Sequence, residues 1–203
     1  MHLGKGRLRR EVLARLERLT RKDRLTKSRA IMARLFGLKK FQQAKVVQFY
    51  CSFRSEVRTD EMIVEALAQG KQVAVPVTYP DGQLRLREVR DPARDLVPGR
   101  FQIPEPVARP RRPVAFRRVE LAVIPGIAFD LQGRRLGRGT GHFDRFLARR
   151  PLGLSIVALA YDAQIIRQVP VTGADIPVDL IVTEKRVIQC WRCRGRRHAG
   201  AAA

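Results

Sequence analysis

The sequence predicts a single three-layer α/β/α domain on a largely parallel central sheet, and three observations carry that reading. Short apolar runs of strand type alternate with segments whose apolar residues recur every three or four positions. At 203 residues and 45% hydrophobic, the chain can bury one ordinary core and is too apolar to be wholly disordered. Its unusual residues fall just after strand-type runs, where parallel sheets gather ligands.

The first helix rests on Leu8, Val12, Leu16 and Leu19, which places Lys5 and Arg9 one turn apart on one side. A second carries Ile31, Leu35 and Leu38, with Gly37 weakening or capping its end. Residues 46–51 are β-branched and aromatic, a first strand. Thr59 is expected to cap a helix through Ile63, Val64, Ala66 and Leu67 that Gly70 stops. A strand over 72–77 completes a β-α-β unit. Asp81-Gly82 then marks a hairpin turn into a strand over 84–89. The Pro- and Arg-rich residues 91–113 read as a surface excursion. A strand over 120–124, a glycine-rich stretch and a helix through Phe143, Phe146 and Leu147 follow. Strands over 156–161 and around 179–182 close the pattern. No internal repeat is visible. The domain is expected over 1–188, with 189–203 a disordered basic tail.

Charge is the outlier, with 41 basic residues against 19 acidic ones, a net of +22. Residues 1–40 and those after Glu184 carry 17 of those charges, so the middle is an ordinary surface. The basic ends suit nucleic acid, anionic membrane or a polyanionic small ligand, or are solvated helix faces from an Arg-rich coding bias. The longest apolar stretches fall far short of a bilayer span. With no apolar signal in the first dozen residues and three cysteines, the expected compartment is the reducing cytoplasm.

The strongest local signal is Pro125-Gly126-Ile127-Ala128-Phe129-Asp130 followed by residues 133–144, GRRLGRGTGHFD. Gly137, Gly139 and Gly141 at alternate positions let backbone approach a bulky anion and offer it N–H groups. The following helix start adds to this, and Arg135 and Arg138 supply charged donors for phosphate oxygens. No Gly-Lys-Ser/Thr closes the loop, and His142 stands where a dinucleotide fingerprint needs its third glycine. The bland alternative is a flexible Gly/Arg turn. Asp144 either caps the helix or binds Mg²⁺ beside phosphates. Glu56 follows a strand, where a lone glutamate is either a surface residue or a ligand. Cys190-Trp191-Arg192-Cys193 with His198 lacks a fourth ligand for structural zinc and reads as incidental.

In order along the chain, Lys5-x-x-Leu8-Arg9, the strand ending in Glu56 and Thr59, Phe101-Gln102-Ile103-Pro104-Glu105-Pro106, the two glycine blocks, and Asp175-x-x-x-Asp179-x-Ile181-x-Thr183-Glu184 resemble the 5-formyltetrahydrofolate cyclo-ligase family. The resemblance implies a cytoplasmic, monomeric ligase that uses ATP and Mg²⁺ to close 5-formyltetrahydrofolate into 5,10-methenyltetrahydrofolate. By matching position, Lys5, Arg9, Arg135 and Gly137 to Gly141 would hold ATP, with Arg138 and Thr140 acting in catalysis. Asp144 and Asp175 would bind Mg²⁺. Cys51, Glu56, Phe101, His142 and Phe143 would line the folate side. The chain departs from the family pattern in two places: Thr140 replaces a lysine, and His142-Phe143 replaces Tyr-Tyr. Arg134, Arg135 and Arg138 stand close enough in sequence to compensate for the first. The rival classes are a folate-binding protein without turnover, which would consume no ATP, and a nucleic-acid binder whose salt-sensitive affinity disappears when the basic ends are trimmed.

Overall fold

The computed structural model describes residues 3–99, 104–107, 112–171, 173 and 175–190. At its centre five parallel strands lie side by side: β1 (Val46–Gln48), β2 (Gln72–Thr78), β7 (Leu121–Ile124), β10 (Ser155–Leu159) and β11 (Leu180–Val182). Antiparallel strands close both edges: β3 (Leu84–Val89) and β6 (Pro113–Val114) beyond β2, and β12 (Val187–Gln189) beyond β11. The order is β12-β11-β10-β7-β1-β2-β3-β6.

Because side chains alternate across a strand, the central strands feed two cores. Val47, Val73, Leu121, Val123 and Val157 face α1 (Leu3–Glu17), α2 (Arg21–Phe36), α3 (Lys39–Gln43) and α4 (Asp60–Ala68). Val46, Ala74, Ala122, Ile124 and Ile156 face Phe146 and Leu147 of α6 (His142–Ala148). Burial on both faces is why these strands read as unbroken apolar runs rather than alternating ones. The three layers expected from the sequence are present. Among the described residues no helix is long and apolar enough to cross a membrane.

Several local expectations change. Leu19 lies past α1, and α2 starts at a capping box that the apolar spacing does not reveal. There Thr20 Oγ1 accepts from Asp23 N, and Asp23 Oδ2 accepts from Thr20 N, both at 3.0 Å. Thr59 holds the N-cap position of α4 as expected, but its hydroxyl donates to the Tyr50 carbonyl at 2.6 Å and makes no cap hydrogen bond. The 91–113 excursion is anchored: Asp91 caps a short helix α5 (Pro92–Asp95), and β4 (Leu96–Pro98) pairs with β5 (Pro104–Pro106). Buried Asp95 takes Arg112 Nη1 at 2.9 Å.

Described structure continues to Cys190, two residues past the expected boundary at 188. Strand β12 follows the strand read as the last one, pairing Ile188 with Ile181. Cys190 is fully buried, its N–H donating to the Asp179 carbonyl at 3.0 Å and its side chain lying against Gly133. A short antiparallel return strand and one buried thiol thus belong to the domain. Cys193, His198 and the rest of the tail lie outside the described residues.

Candidate active site

A cavity of about 1120 Å³ opens at the carboxyl ends of β1, β2 and β7. With β2 on one side of β1 and β7 on the other, the loops leaving β1 and β7 part and leave a crevice between them. One wall comes from each loop.

The β1 loop runs irregularly from Tyr50 to Thr59, and buried hydroxyls satisfy its carbonyls. Tyr50 Oη donates to Val57 O at 2.8 Å, and Tyr161 Oη, which also meets Ser28 Oγ at 3.2 Å, donates to Glu56 O at 3.4 Å. Pinned this way, the Glu56 carboxylate faces the cavity. It accepts from Phe53 N at 3.0 Å and from Arg138 Nη2 at 3.0 Å. Burial raises its pKa above the ordinary carboxylate value, although the Arg138 charge and hydrogen bond and the Phe53 N–H oppose that rise. Cys51 lines the same cavity. Burial, and secondarily Glu105, pushes its thiol up to about 12, so it is a neutral contact group and no nucleophile at neutral pH.

The β7 loop makes the other wall. A side chain at Gly126 would collide with the Phe129 ring and with Arg135 Cγ, so only glycine lets the loop leave the sheet here. A small hairpin, β8 (Ala128–Phe129) with β9 (Arg135–Leu136), turns the chain back, and the glycine loop runs from Gly137 into α6. Gly139 at φ +111° and Gly141 at φ +66° take conformations that L side chains rarely adopt. Asp144 lies inside α6 rather than capping it, because Gly141 holds the cap position.

Most of the charges in the cavity are met by polar partners. Lys5 Nζ lies 2.9 Å from Asp175 Oδ2, Arg135 Nη2 lies 2.7 Å from Asp144 Oδ1, and Arg9 Nε donates to Gly137 O at 2.9 Å. Arg135 is buried, and its Nε has no partner. Six lysine and arginine side chains line the cavity against four carboxylates, an excess that favours a polyanionic occupant. The Ile176 N–H, 3.4 Å from Asp144 Oδ1, brings the Asp175 segment alongside Asp144. No group of three or more His, Cys, Asp or Glu among the described residues is placed to hold a metal. Two neighbouring carboxylates with hard oxygen donors instead fit a Mg²⁺ that arrives on phosphates and needs one or two protein ligands.

Lys5, Arg9, Cys51, Glu56, Arg135, residues 137–144 and Asp175 all line this one cavity. Phe101 lies outside the described residues. The Arg138 guanidinium is on Glu56 and 4.9 Å from the Phe53 ring centroid, between the two walls. Arg134 turns away to Asp130 at 3.8 Å. The sequence reading missed Phe53, Arg54 and Arg145. The signal for Arg54 was conformational, as the only non-glycine at positive φ (53°) among the described residues. Arg145 carries no signal in the sequence; its side chain returns to the Thr140 carbonyl at 3.0 Å.

Residues 2–184 match the model of the 5-formyltetrahydrofolate cyclo-ligase family, a span holding all the predicted site residues. The chain belongs to that family. It is 33% identical over 146 residues to the 5-formyltetrahydrofolate cyclo-ligase of Escherichia coli K12, covering 71% of this chain and 80% of that one. Against the mouse cyclo-ligase it is 30% identical over 191 residues, covering 89% and 94%. The solved 5,10-methenyltetrahydrofolate synthetase of Aquifex aeolicus superimposes with a TM-score of 0.81 at 35% identity, covering 92% and 93%. The Mycoplasma pneumoniae synthetase shares the fold, with a TM-score of 0.73 at 18% identity. The cyclo-ligase match ends at Glu184, so β12 and Cys190 lie beyond it.

Proposed function

We propose that the chain is an ATP-dependent 5-formyltetrahydrofolate cyclo-ligase. The observation that carries this reading is the cavity's two-sided construction: a cation-rich glycine loop on one wall, a partly buried arginine-paired glutamate on the other. The first suits a triphosphate. The second suits the N–H donors of a pterin ring, which a carboxylate accepts in pairs.

In the reaction, the formyl oxygen of the substrate attacks the γ-phosphorus of ATP and ADP departs. The formyl carbon is then joined to N5 by a double bond and carries phosphate as a leaving group. N10 attacks that carbon and gives up its proton, and the C–O bond breaks. Inorganic phosphate leaves with the original formyl oxygen, and 5,10-methenyltetrahydrofolate remains. No protein nucleophile is needed, since phosphoryl transfer asks for positioning and charge stabilisation.

The residues divide accordingly. Lys5, Arg9, Arg135 and the loop 137–141 hold the nucleotide. Asp144 and Asp175 would hold Mg²⁺, which when bound would supply positive charge to the phosphates. Lys5 and Arg135, which pair with those two carboxylates, would contribute positive charge on the phosphate side of the site. Glu56, Cys51 and the aromatic ring of Phe143 orient the folate. Arg138, between the walls, is placed to stabilise charge on the oxygen being phosphorylated.

The test uses substrate carrying ¹⁸O in its formyl group. Mass spectrometry of the released phosphate is expected to find one ¹⁸O per product formed. Unlabelled phosphate would mean that ATP is hydrolysed by water and that the formyl oxygen leaves by another route.

A further inference from the structure

The six cations lining the cavity are not equally committed. Lys5, Arg135 and Arg138 are neutralised by Asp175, Asp144 and Glu56. Arg54 lies 4.9 Å from the Phe53 ring centroid. Arg9 and Arg145 make no ion pair among the described residues, and each donates to a carbonyl of the glycine loop: Arg9 Nε to Gly137 O at 2.9 Å, Arg145 Nη1 to Thr140 O at 3.0 Å. The two guanidiniums bracket the loop. A Cβ at Gly139 would lie 3.4 Å from Arg9 Nη2, and one at Gly141 would lie 3.1 Å from Arg145 Nη1.

Folding an arginine back against a loop rich in arginine is electrostatically unfavourable unless an anion joins it. Arg145 is exposed, so no packing need explains the placement. One of its five N–H donors is spent on Thr140 O, leaving the rest of a planar fork for oxygen acceptors. Thr140 itself brings no charge.

We infer that Arg145 holds the phosphates of the nucleotide from the Thr140 end of the loop, supplying there the positive charge that Thr140 lacks. Arg9 does the same from the Gly137 end. Of the other compensators near in sequence, Arg134 is on Asp130 and Arg138 is on Glu56, while Arg135 enters the loop from its buried pairing with Asp144. The inference rests on the ATP-dependent reading of the site.

The test is equilibrium binding of MgATP, together with steady-state kinetics, for wild type, Arg145→Ala, Thr140→Lys and the double variant. A charged hydrogen bond removed from a phosphate costs about ten- to a hundredfold in affinity. Arg145→Ala is therefore expected to bind MgATP that much more weakly, with the loss in KM for ATP and not for the folate. An unchanged circular dichroism spectrum and melting temperature would show that the fold is intact. Thr140→Lys should gain more in the Arg145→Ala background than in wild type, because the two charges serve one place. Equal MgATP affinity of wild type and Arg145→Ala would overturn the inference while leaving the cyclo-ligase reading intact. So would the same gain from Thr140→Lys in both backgrounds. A wild type that binds no MgATP at all would overturn both.

Discussion

Asp144→Asn is expected to lower turnover by about a hundredfold or more while the protein still folds. Asp144 has two tasks. In the structure as described it neutralises Arg135, whose side chain is only 4% exposed. With nucleotide bound it is one of the two carboxylates assigned to Mg²⁺. Asparagine keeps an oxygen that can accept from Arg135, so the guanidinium is not wholly abandoned, but the negative charge is gone. Losing the charged partner of a buried arginine costs about 1–3 kcal/mol of stability, a drop of several degrees in melting temperature for a chain of this size. The loss in catalysis is expected to be larger, because the same charge is missing where the proposed metal–phosphate complex would sit. A magnesium titration separates the tasks. If Asp144 only positions Arg135, the variant will need no more Mg²⁺ than wild type. If it is a ligand, activity will recover partly at high Mg²⁺. Normal turnover at limiting Mg²⁺ would contradict both roles.

Glu56→Gln is expected to reduce kcat/KM for the folate by about ten- to a hundredfold, the cost of one charged hydrogen bond, with KM for ATP little changed. The pH profile gives a sharper reading. Burial raises the pKa of Glu56, so its carboxylate becomes protonated at a higher pH than an ordinary glutamate would. As pH falls through that value the residue loses both its Arg138 partner and its capacity to accept two donors. In wild type, kcat/KM for the folate should therefore decline on the acid side, beginning above the usual carboxylate range. Glutamine does not titrate, and the variant should lack that limb. An acid limb unchanged in the variant would assign it to another group.

The fold was legible because its signals are local and repeated. The central strands need no alignment to be seen: Leu121 to Ile124 and Val46 to Gln48 are apolar at every position except Gln48, and the helices between strands keep a three-to-four spacing. What escaped is what depends on distant partners. Thr59 looks like a cap, yet the Tyr50 carbonyl lies within reach of its hydroxyl, and only the folded β1 loop brings the two together. The β12 strand is three residues long and pairs at an edge, so Val187 and Ile188 alone could not announce it.

The site shows the same division. The glycine loop, Asp144 and the Lys5–Arg9 pair carry motifs in the sequence, and the structure gathers them. How they pair does not follow from spacing. Lys5 meets Asp175 across 170 positions, and Arg138 meets Glu56 across 82. Arg145 escaped for a different reason. An arginine on a short helix reads as a solvated surface charge, and only the direction of its side chain, back over Thr140, sets it apart.

Everything assigned to the cavity comes to one measurement. Purified protein is mixed with 5-formyltetrahydrofolate, ATP and Mg²⁺, and the absorbance of 5,10-methenyltetrahydrofolate is followed alongside ADP. The expected result is product that appears only when ATP is present, with one ADP formed for each ring closed. Folate that binds without product, or product that forms without ADP, would contradict the account.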